Sequence, residues 1–176
     1  SEHLGRFPVV MISPGDHVLL HGGSEVRRKF MDAVIAQSDR GYLDALQNYQ
    51  RALKQRNALL KYFAANRTFQ ADMLELYDHQ LSEYAPVIFA ARSAFAAQFT
   101  PMLQEAYEGI SGGREQVELR YESLLAEQSM ADLLAERLSK DRVLQFTSAG
   151  PHREDLDFTL HGHPLQRVGS QGQQKS

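Results

Sequence analysis

The most regular pattern of apolar and polar positions lies between Asp39 and Ala65, and it predicts one long amphipathic helix. Its apolar residues recur at steps of four and three, the spacing of a helix that packs along a partner: Tyr42, Leu46, Tyr49, Leu53 and Leu60. At about 100° per residue, three cations fall together on a flank well away from this seam: Arg51, Lys54 and Lys61. Arg56 lies at the edge of the seam, where we expect its stem to pack while its charged head reaches water.

Further helices are predicted before and after this one. Ser24 can cap a helix with one apolar face formed by Val26, Phe30 and Val34. Thr68 can cap another, with inward residues Met73, Tyr77, Leu81 and Tyr84. Pro86 should kink or interrupt that helix, because proline lacks the backbone donor and clashes with the preceding turn. The pattern resumes over 87–99, and a last helical piece over 101–107 precedes Gly112-Gly113.

Short strands flank the helices. An apolar run over 7–12 reads as a buried strand followed by a turn, and 116–121 alternates as a half-exposed strand. Ser129 followed by Asp132 predicts a helix through Leu138. The segment 156–160 alternates again, 161–164 forms a turn, and 165–168 can return as its hairpin partner. The predicted fold class is α+β and mainly α, with long antiparallel helices and short flanking strands.

The amino-acid composition excludes several kinds of site but does not identify a function. The chain has 176 residues, 43% of them hydrophobic, which is ordinary for a globular protein. Cysteine is absent, which removes disulfides, thiolate metal sites and cysteine nucleophiles. No apolar run approaches the roughly 20 residues of a membrane span, so we expect a soluble protein with no membrane partner.

The net charge of −3 is unevenly distributed along the chain. Residues 39–67 carry a local net charge of +4, and residues 68–141 carry −8. Bulk charge therefore does not predict nucleic-acid binding. The basic stretch beside the acidic stretch is compatible with a local docking surface, and also with two solvated helix faces.

Two loops carry candidate chemistry. Residues 150–155 form a charged turn, and residues 170–174 form a Ser/Gly loop that can offer a hydroxyl and backbone N–H groups to a phosphate. A plain surface turn explains either loop as well. His152, His161 and His163 lie near two aspartates, but without a helical His pair solvated turn histidines are favoured over metal ligands. No phosphate loop of the G-x-x-x-x-G-K-[ST] type and no supported Ser/His/Asp arrangement is present in the sequence.

Five blocks taken together resemble the RecF family of bacterial recombination mediators. They are Phe7-Pro8-Val9-Val10-Met11-Ile12-Ser13-Pro14-x-Asp16, Gly23-Ser24-Glu25-x-Arg27-Arg28-Lys29-Phe30-Met31-Asp32, Tyr49-Gln50-x-x-Leu53-x-Gln55-Arg56-Asn57-Ala58-Leu59-Leu60-Lys61, Gly150-Pro151-His152-Arg153-Glu154-Asp155 and Ser170-Gln171-Gly172-Gln173-Gln174. Their order along the whole chain makes the resemblance specific, whereas the acidic helices over 68–108 contribute little. Glu154 departs mildly from the family, where aspartate is more usual.

The resemblance implies an ABC-type ATPase related to SMC and Rad50 proteins, with a helical lobe inserted into a split head. The expected parts are a head strand and turn over 1–23, the helical lobe over 24–111, a strand and helix returning to the head over 112–148, and a hairpin with the ABC signature over 149–176. The phosphate loop and the acidic magnesium-binding strand would then lie outside this segment. ATP and Mg²⁺ are expected in a longer parent protein, and no cofactor or metal is expected on the segment itself.

The resemblance also implies a function for that parent. It would bind DNA at gaps and single-strand/double-strand junctions, form an ATP-dependent homodimer, and help RecO and RecR load RecA in the cytoplasm during DNA repair and the SOS response. Its ATPase would be weak and DNA-dependent, and the segment alone would be no enzyme. Ser170, Gln171, Gly172 and Gln173 match the ABC signature, which in this family contacts ATP held by the opposing subunit.

The remaining function hypotheses concern the helices. Arg51, Lys54 and Lys61 are candidate contacts to DNA phosphates or to an acidic partner surface. The alternative to a RecF-like ATPase is a helical protein-interaction adaptor without nucleotide chemistry. An independent enzyme is the weakest option, because no nucleophile, base and orienting group can be assembled.

Overall fold

A computed structural model describes residues 22–111, 117–160 and 163–164. Within these ranges the chain forms helices α1 (Ser24–Ser38), α2 (Arg40–Asn66), α3 (Asp72–Ser111) and α4 (Met130–Leu144). The strands are β1 (Val117–Glu122), β2 (Asp155–Leu160) and β3 (His163–Pro164). One short 3-10 turn at Leu124–Ala126 lies between β1 and α4, and a second at Pro151–Arg153 lies between α4 and β2. The predicted fold class, mainly helical with short strands, is confirmed. No helix in the described ranges is both long enough and apolar enough to span a membrane.

Helix α2 follows the predicted seam closely. Asp39 caps its first turn, with the carboxylate accepting from the Tyr42 backbone N–H at 2.8 Å. At the other end Arg67 adopts a left-handed conformation (φ 51°), and the Thr68 N–H donates to the Phe63 carbonyl at 3.1 Å. Thr68 thus completes the end of α2 and does not cap the next helix, so that prediction is wrong.

The buried face of α1 is offset by one residue from the predicted one, whereas in α3 the predicted Leu81 is buried and the shift concerns the start of the buried line. In α1 the buried residues are Arg27, Met31 and Ile35, whereas Val26, Phe30 and Val34 are only half-buried. In α3 the buried line begins at Leu74, and Met73 is 40% exposed. The physical reason is that neighbouring apolar residues at the edge of a face compete for the core, and packing decides between them.

Pro86 does not interrupt α3, which runs unbroken through both Pro86 and Pro101. The buried residues on either side keep one helical register: Leu81, Ala85, Ile88 and Arg92. A mid-helix proline costs about 3 kcal/mol or more. Burial of one continuous stripe offsets that cost, because tertiary packing supplies most helical stability in a folded protein.

The strands form one sheet in the order β1-β2-β3, with antiparallel neighbours. Leu119 pairs with Phe158 and Tyr121 with Leu156, so side chains of the buried face meet directly across the two strands. Pairing with β3 already begins at His163, opposite Leu160, and the predicted turn over 161–164 is therefore too long. The predicted strands over 7–12 and 165–168 lie outside the described residues.

The chain divides into two compact units, and neither is one continuous stretch. Among the described residues, unit 1 gathers 22–38, 92–111, 117–122, 154–160 and 163–164, and unit 2 gathers Asp39–Ala91 and Ser123–Arg153. The described part of unit 1 holds α1, the sheet and an aromatic cluster of Phe30, Phe95 and Phe99. Unit 2 holds α2, α4 and the first half of α3.

Candidate functional site

Arg56 of α2 lies at the centre of a buried ionic network in unit 2. Its side chain is fully buried, which corrects the prediction of a solvated head. Nε donates to Asp78 Oδ1 at 2.6 Å, and Nη1 donates to Asp141 Oδ2 at 2.7 Å. Arg56 and Asp141 are both fully buried, whereas Asp78 is partly exposed. The buried pair must be matched in charge, because an isolated buried charge is very unfavourable.

The network extends to the loop that follows α4. Arg56 Nη1 also donates to the Thr147 hydroxyl at 2.9 Å, and that hydroxyl donates to Asn57 Oδ1 at 2.8 Å. The Thr147 backbone N–H reaches the same amide oxygen at 2.7 Å, while the Ser148 N–H and hydroxyl both donate to Asp141 Oδ1. Side chains of α2 and α4 therefore supply the hydrogen bonds that this loop cannot obtain from regular secondary structure.

His152 is held at both ring nitrogens in the same unit. Nε2 lies 2.9 Å from the Thr147 carbonyl, which can only accept, so Nε2 carries the proton. In the neutral ring Nδ1 then accepts from the Tyr49 hydroxyl at 2.8 Å. His152 is half-buried, and the expected solvated turn histidine is replaced by a structural one.

Gly150 fixes how closely this loop approaches α2 and α4. Its φ of 117° is unfavourable for residues with a side chain. A Cβ there would lie 2.5 Å from the Tyr49 hydroxyl and 2.8 Å from Met130 Cε. The block over 150–155 is thus more than a plain turn, because the hydrogen bond between Tyr49 and His152 requires the backbone to pass this close.

A second network lies in unit 1, where α1 meets β2. The guanidinium of Arg27 clamps Asp155 through both carboxylate oxygens, each at 2.7 Å, and also donates to the Gly22 carbonyl at 2.6 Å. Burial pushes the pKa of Asp155 upward, but hydrogen bonds from Arg27 and the Leu156 N–H outweigh it, so the pKa is lowered overall. The hydrogen bond to Asp155 in turn raises the pKa of Arg27.

Arg92 and Glu154 form the deeper part of this network. Arg92 donates to Asp32 at 2.8 Å and to Glu154 Oε2 at 3.3 Å, and the Tyr121 hydroxyl donates to the same glutamate oxygen. Burial, followed by the nearby Glu154 charge, raises the pKa of Tyr121 and keeps the phenol neutral. Glutamate at position 154 is fully accommodated in unit 1 because its carboxylate lies between a cation and a hydroxyl donor.

The structure describes the predicted DNA-contact residues but not the predicted ATP-contact residues. Arg51, Lys54 and Lys61 are all exposed on α2, and Arg51 also bonds Asn48 on the surface at 2.9 Å. Ser170, Gln171, Gly172 and Gln173 lie outside the described residues, as does His161. Across the described ranges, no group of three His, Asp or Glu side chains is arranged to hold a metal ion.

Sequence reasoning missed the three buried arginines, although a signal was present. Arg56 occupies the position that the seam of α2 skips between Leu53 and Leu60. Arg27 and Arg92 likewise continue the buried lines of α1 and α3. An arginine at a helix position that the apolar pattern assigns to the core predicts a buried ion pair, because arginine is rarely fully buried unless a carboxylate pairs with it.

The blocks that carry the family resemblance also account for most of these contacts. In block 49–61, Tyr49 bonds His152 of block 150–155. Arg56 and Asn57 of the same block bond Thr147, which lies just before block 150–155 in the chain. Residues 23–32 meet the second half of that block through Arg27. The networks therefore account for Arg27, Tyr49, Arg56 and Asn57 at their positions.

Comparisons with known proteins agree with this picture. The DNA replication and repair protein RecF of Flavobacterium johnsoniae is 49% identical over all 176 residues, and that of Parabacteroides distasonis is 43% identical. The chain spans about half the length of these relatives, 49% and 47% respectively. No family model matches the chain.

Two solved structures are similar in fold. One, described as the recombination mediator protein RecF-ATPrS in the RecFOR pathway, matches 97% of this chain with a TM-score of 0.87 and 29% identity. The other, described as RecF-ATP in the same pathway, gives a TM-score of 0.86 and 30% identity. The chain covers 48% of each. The chain is therefore similar to RecF proteins in sequence over its whole length and in fold over nearly all of it, and it corresponds to about half of each.

Proposed function

We propose that this chain is part of an ATP-dependent, DNA-binding recombination mediator of the RecF type. The observation that carries the proposal is the match of nearly the whole chain to RecF structures described with ATP or ATPrS. The parent protein would bind gapped DNA and single-strand/double-strand junctions in the cytoplasm. There it would work with RecO and RecR to load RecA during repair and the SOS response, and its ATPase would be weak and DNA-dependent.

The two buried networks support a scaffolding role for this segment. Each network fastens a loop or strand to a helix through charge-assisted hydrogen bonds, in which every described carboxylate has a cationic or N–H partner. A scaffold of this kind holds surface residues in fixed register. It does not itself provide a nucleophile or a general base for catalysis.

In this proposal the exposed flank of α2 contacts DNA phosphates. Arg51, Lys54 and Lys61 lie within about 80° of one another around the helix axis, so one strand can pass all three. Contacts of this kind add affinity without base specificity and weaken as salt rises. Three contacts on duplex DNA contribute roughly 2.7 to the slope of log affinity against log salt.

The test is the triple alanine variant of Arg51, Lys54 and Lys61 in the full-length gene product. Affinity for a gapped duplex, measured by fluorescence anisotropy across a salt series, should fall, and the salt slope should flatten. A matched control removes the same charge from three other exposed sites: Lys29, Arg120 and Lys140. If the two triple variants bind gapped DNA equally well at low salt, the flank does not contact DNA.

A second test concerns the Ser170 to Gln173 loop, proposed as the ABC signature that contacts ATP of the opposing subunit. Ser170→Arg should leave ATP binding by each subunit nearly unchanged, because the loop would act across the interface. It should abolish ATP-driven dimerisation measured by light scattering. Normal dimers with ATP would contradict the assignment, and a gene product that binds no ATP at all would favour the helical adaptor instead.

A further inference from the structure

A cleft with an apolar floor and a polar rim lies at the end of α2 in unit 2, apart from the Arg56 network. Its volume is about 530 Å³, and it is enclosed by the last turns of α2, the segment after them, and the last turns of α4. The floor is apolar, with Leu60, Phe63 and Phe69, and the rim carries Arg67 and Arg142. The guanidinium of Arg142 stacks 3.8 Å above the Phe69 ring, which holds this cation at the edge of the cleft.

A second cleft of about 380 Å³ adjoins the first and shares Phe63 and Thr68 with it. It extends toward Tyr62 and Met73. Because Phe63 and Thr68 line both clefts, we treat them as two wells of one surface feature, which we call the Phe63 groove. Such paired wells suit a segment that presents two apolar side chains at a fixed separation.

The surroundings of the Phe63 groove are unusually apolar for a water-facing surface. Val143 is 80% exposed, Tyr62 53% and Met73 40%, and Leu76 on the next turn of α3 is 62% exposed. Isolated exposed apolar residues need no explanation, but a cluster around a concave site marks an interaction surface. Tyr, Phe, Met and Arg are also the residue types enriched in protein interfaces.

Charge distinguishes the two ends of the groove. Of the described residues that line it, the charged ones are Arg67 and Arg142, both on the first cleft. Beyond the second cleft, Met73 is flanked by the exposed carboxylates Asp72 and Glu75 in the first turn of α3. An occupant with carboxylates at one end only can therefore bind in one preferred direction.

We infer that the Phe63 groove docks a short acidic and apolar segment of a partner protein. Two apolar side chains of that segment would fill the wells, and its carboxylates would face Arg67 and Arg142. A nucleic acid fits less well, because Arg142 already covers one face of Phe69 and Phe63 meets it edge-on at 5.5 Å. The ring of Phe69 is thus less open to stacking with a base than an uncovered aromatic ring would be.

The experiment selects a random-peptide phage library against the full-length gene product, with counter-selection on the Arg142→Glu/Val143→Glu variant. Both changes lie on exposed positions of α4, so the fold should persist. The matched control, Lys140→Glu/Leu124→Glu, changes one exposed cation and one exposed apolar residue that do not line the groove. Circular dichroism of all three proteins checks their helix content.

Enriched peptides should combine aliphatic or aromatic residues with Asp or Glu at one end. By fluorescence polarisation, a selected peptide should bind the groove variant at least about tenfold more weakly than the control, and replacing its acids with lysine should weaken it similarly. No enrichment, basic peptides, or equal binding to both variants would overturn the inference. Loss of oligo-dT affinity in the groove variant, with no peptide selected, would instead assign the surface to nucleic acid. The peptide readouts depend neither on ATP nor on the DNA flank, so the RecF proposal and this one can fail separately.

Discussion

Replacing Arg56 with methionine should be among the most damaging single changes in unit 2. The guanidinium is fully buried and bridges Asp78, at 2.6 Å, and Asp141, at 2.7 Å. Methionine fills most of the volume but leaves Asp141, itself 0% exposed, without its cation. Asp141 retains only the hydrogen bonds from Ser148, which do not neutralise its charge.

The magnitude follows from the cost of an uncompensated buried charge. Removing one partner of a buried pair destabilises a protein by about 3–5 kcal/mol, against a typical total stability of roughly 5–15 kcal/mol. Arg51→Met, five residues earlier on the exposed flank, is the matched control and should stay within about 0.5 kcal/mol of the parent. Adding Asp141→Asn to Arg56→Met should recover about 1–3 kcal/mol, because the unpaired charge is then gone.

The assay is urea denaturation of the full-length gene product, followed by the helical circular dichroism signal. The midpoint should fall sharply for Arg56→Met and barely for Arg51→Met, with similar slopes for both transitions. If the two variants were equally stable, the ionic network would not hold unit 2 together. If Asp141→Asn worsened Arg56→Met instead of rescuing it, the destabilisation would not arise from an unpaired carboxylate.

Two further predictions test the loop and the unit 1 clamp. Gly150→Ala should lower stability by about 2 kcal/mol or more, because its Cβ would meet the Tyr49 hydroxyl at 2.5 Å, whereas Gly23→Ala has open space and should be nearly neutral; equal melting temperatures would contradict this. The lowered pKa of Asp155 means that its clamp with Arg27 contributes stability above the ordinary pKa near 3.8 and loses it as pH falls through the folded pKa. Asp155→Asn should therefore flatten the acid limb of a stability–pH curve, and an unchanged acid limb would refute the clamp.

The sequence predicted the positions of the helices better than the residues that these helices bury. The predicted seam of α2 was correct for four of its five residues, Leu53 being only half-buried, because a run of Tyr and Leu at steps of four and three admits one buried face. The exception, Arg56, shows the limit of the pattern, since hydropathy places every arginine at the surface. Only a partner such as Asp141, 85 residues away along the chain, makes its burial possible.

Local rules also misjudged segments where tertiary packing decides. Pro86 should break a helix in isolation, yet the buried stripe through Leu81 and Ile88 keeps α3 continuous. Thr68 has a side chain suited to capping a helix, but its backbone N–H donates to the Phe63 carbonyl at the end of α2. The charged block over 150–155 was found as a motif, while its partners Tyr49 and Arg27 could be identified only from coordinates.

The interleaved composition of the two units has a consequence for how the chain folds. Ribosomal synthesis delivers α2 early, but the partners that complete unit 2, from Asp141 to His152, emerge only near the end of the segment, and Asp155 of unit 1 follows them. The Arg27 clamp closes a loop of 128 residues. Contacts this distant must first overcome the entropy of loop closure, and they slow folding even in a helical protein. Arg56 and Arg92 therefore have one carboxylate partner each, Asp78 and Asp32, before the last third of the segment is made. Their networks and the Arg27 clamp are completed only when that last third supplies Asp141, Glu154 and Asp155.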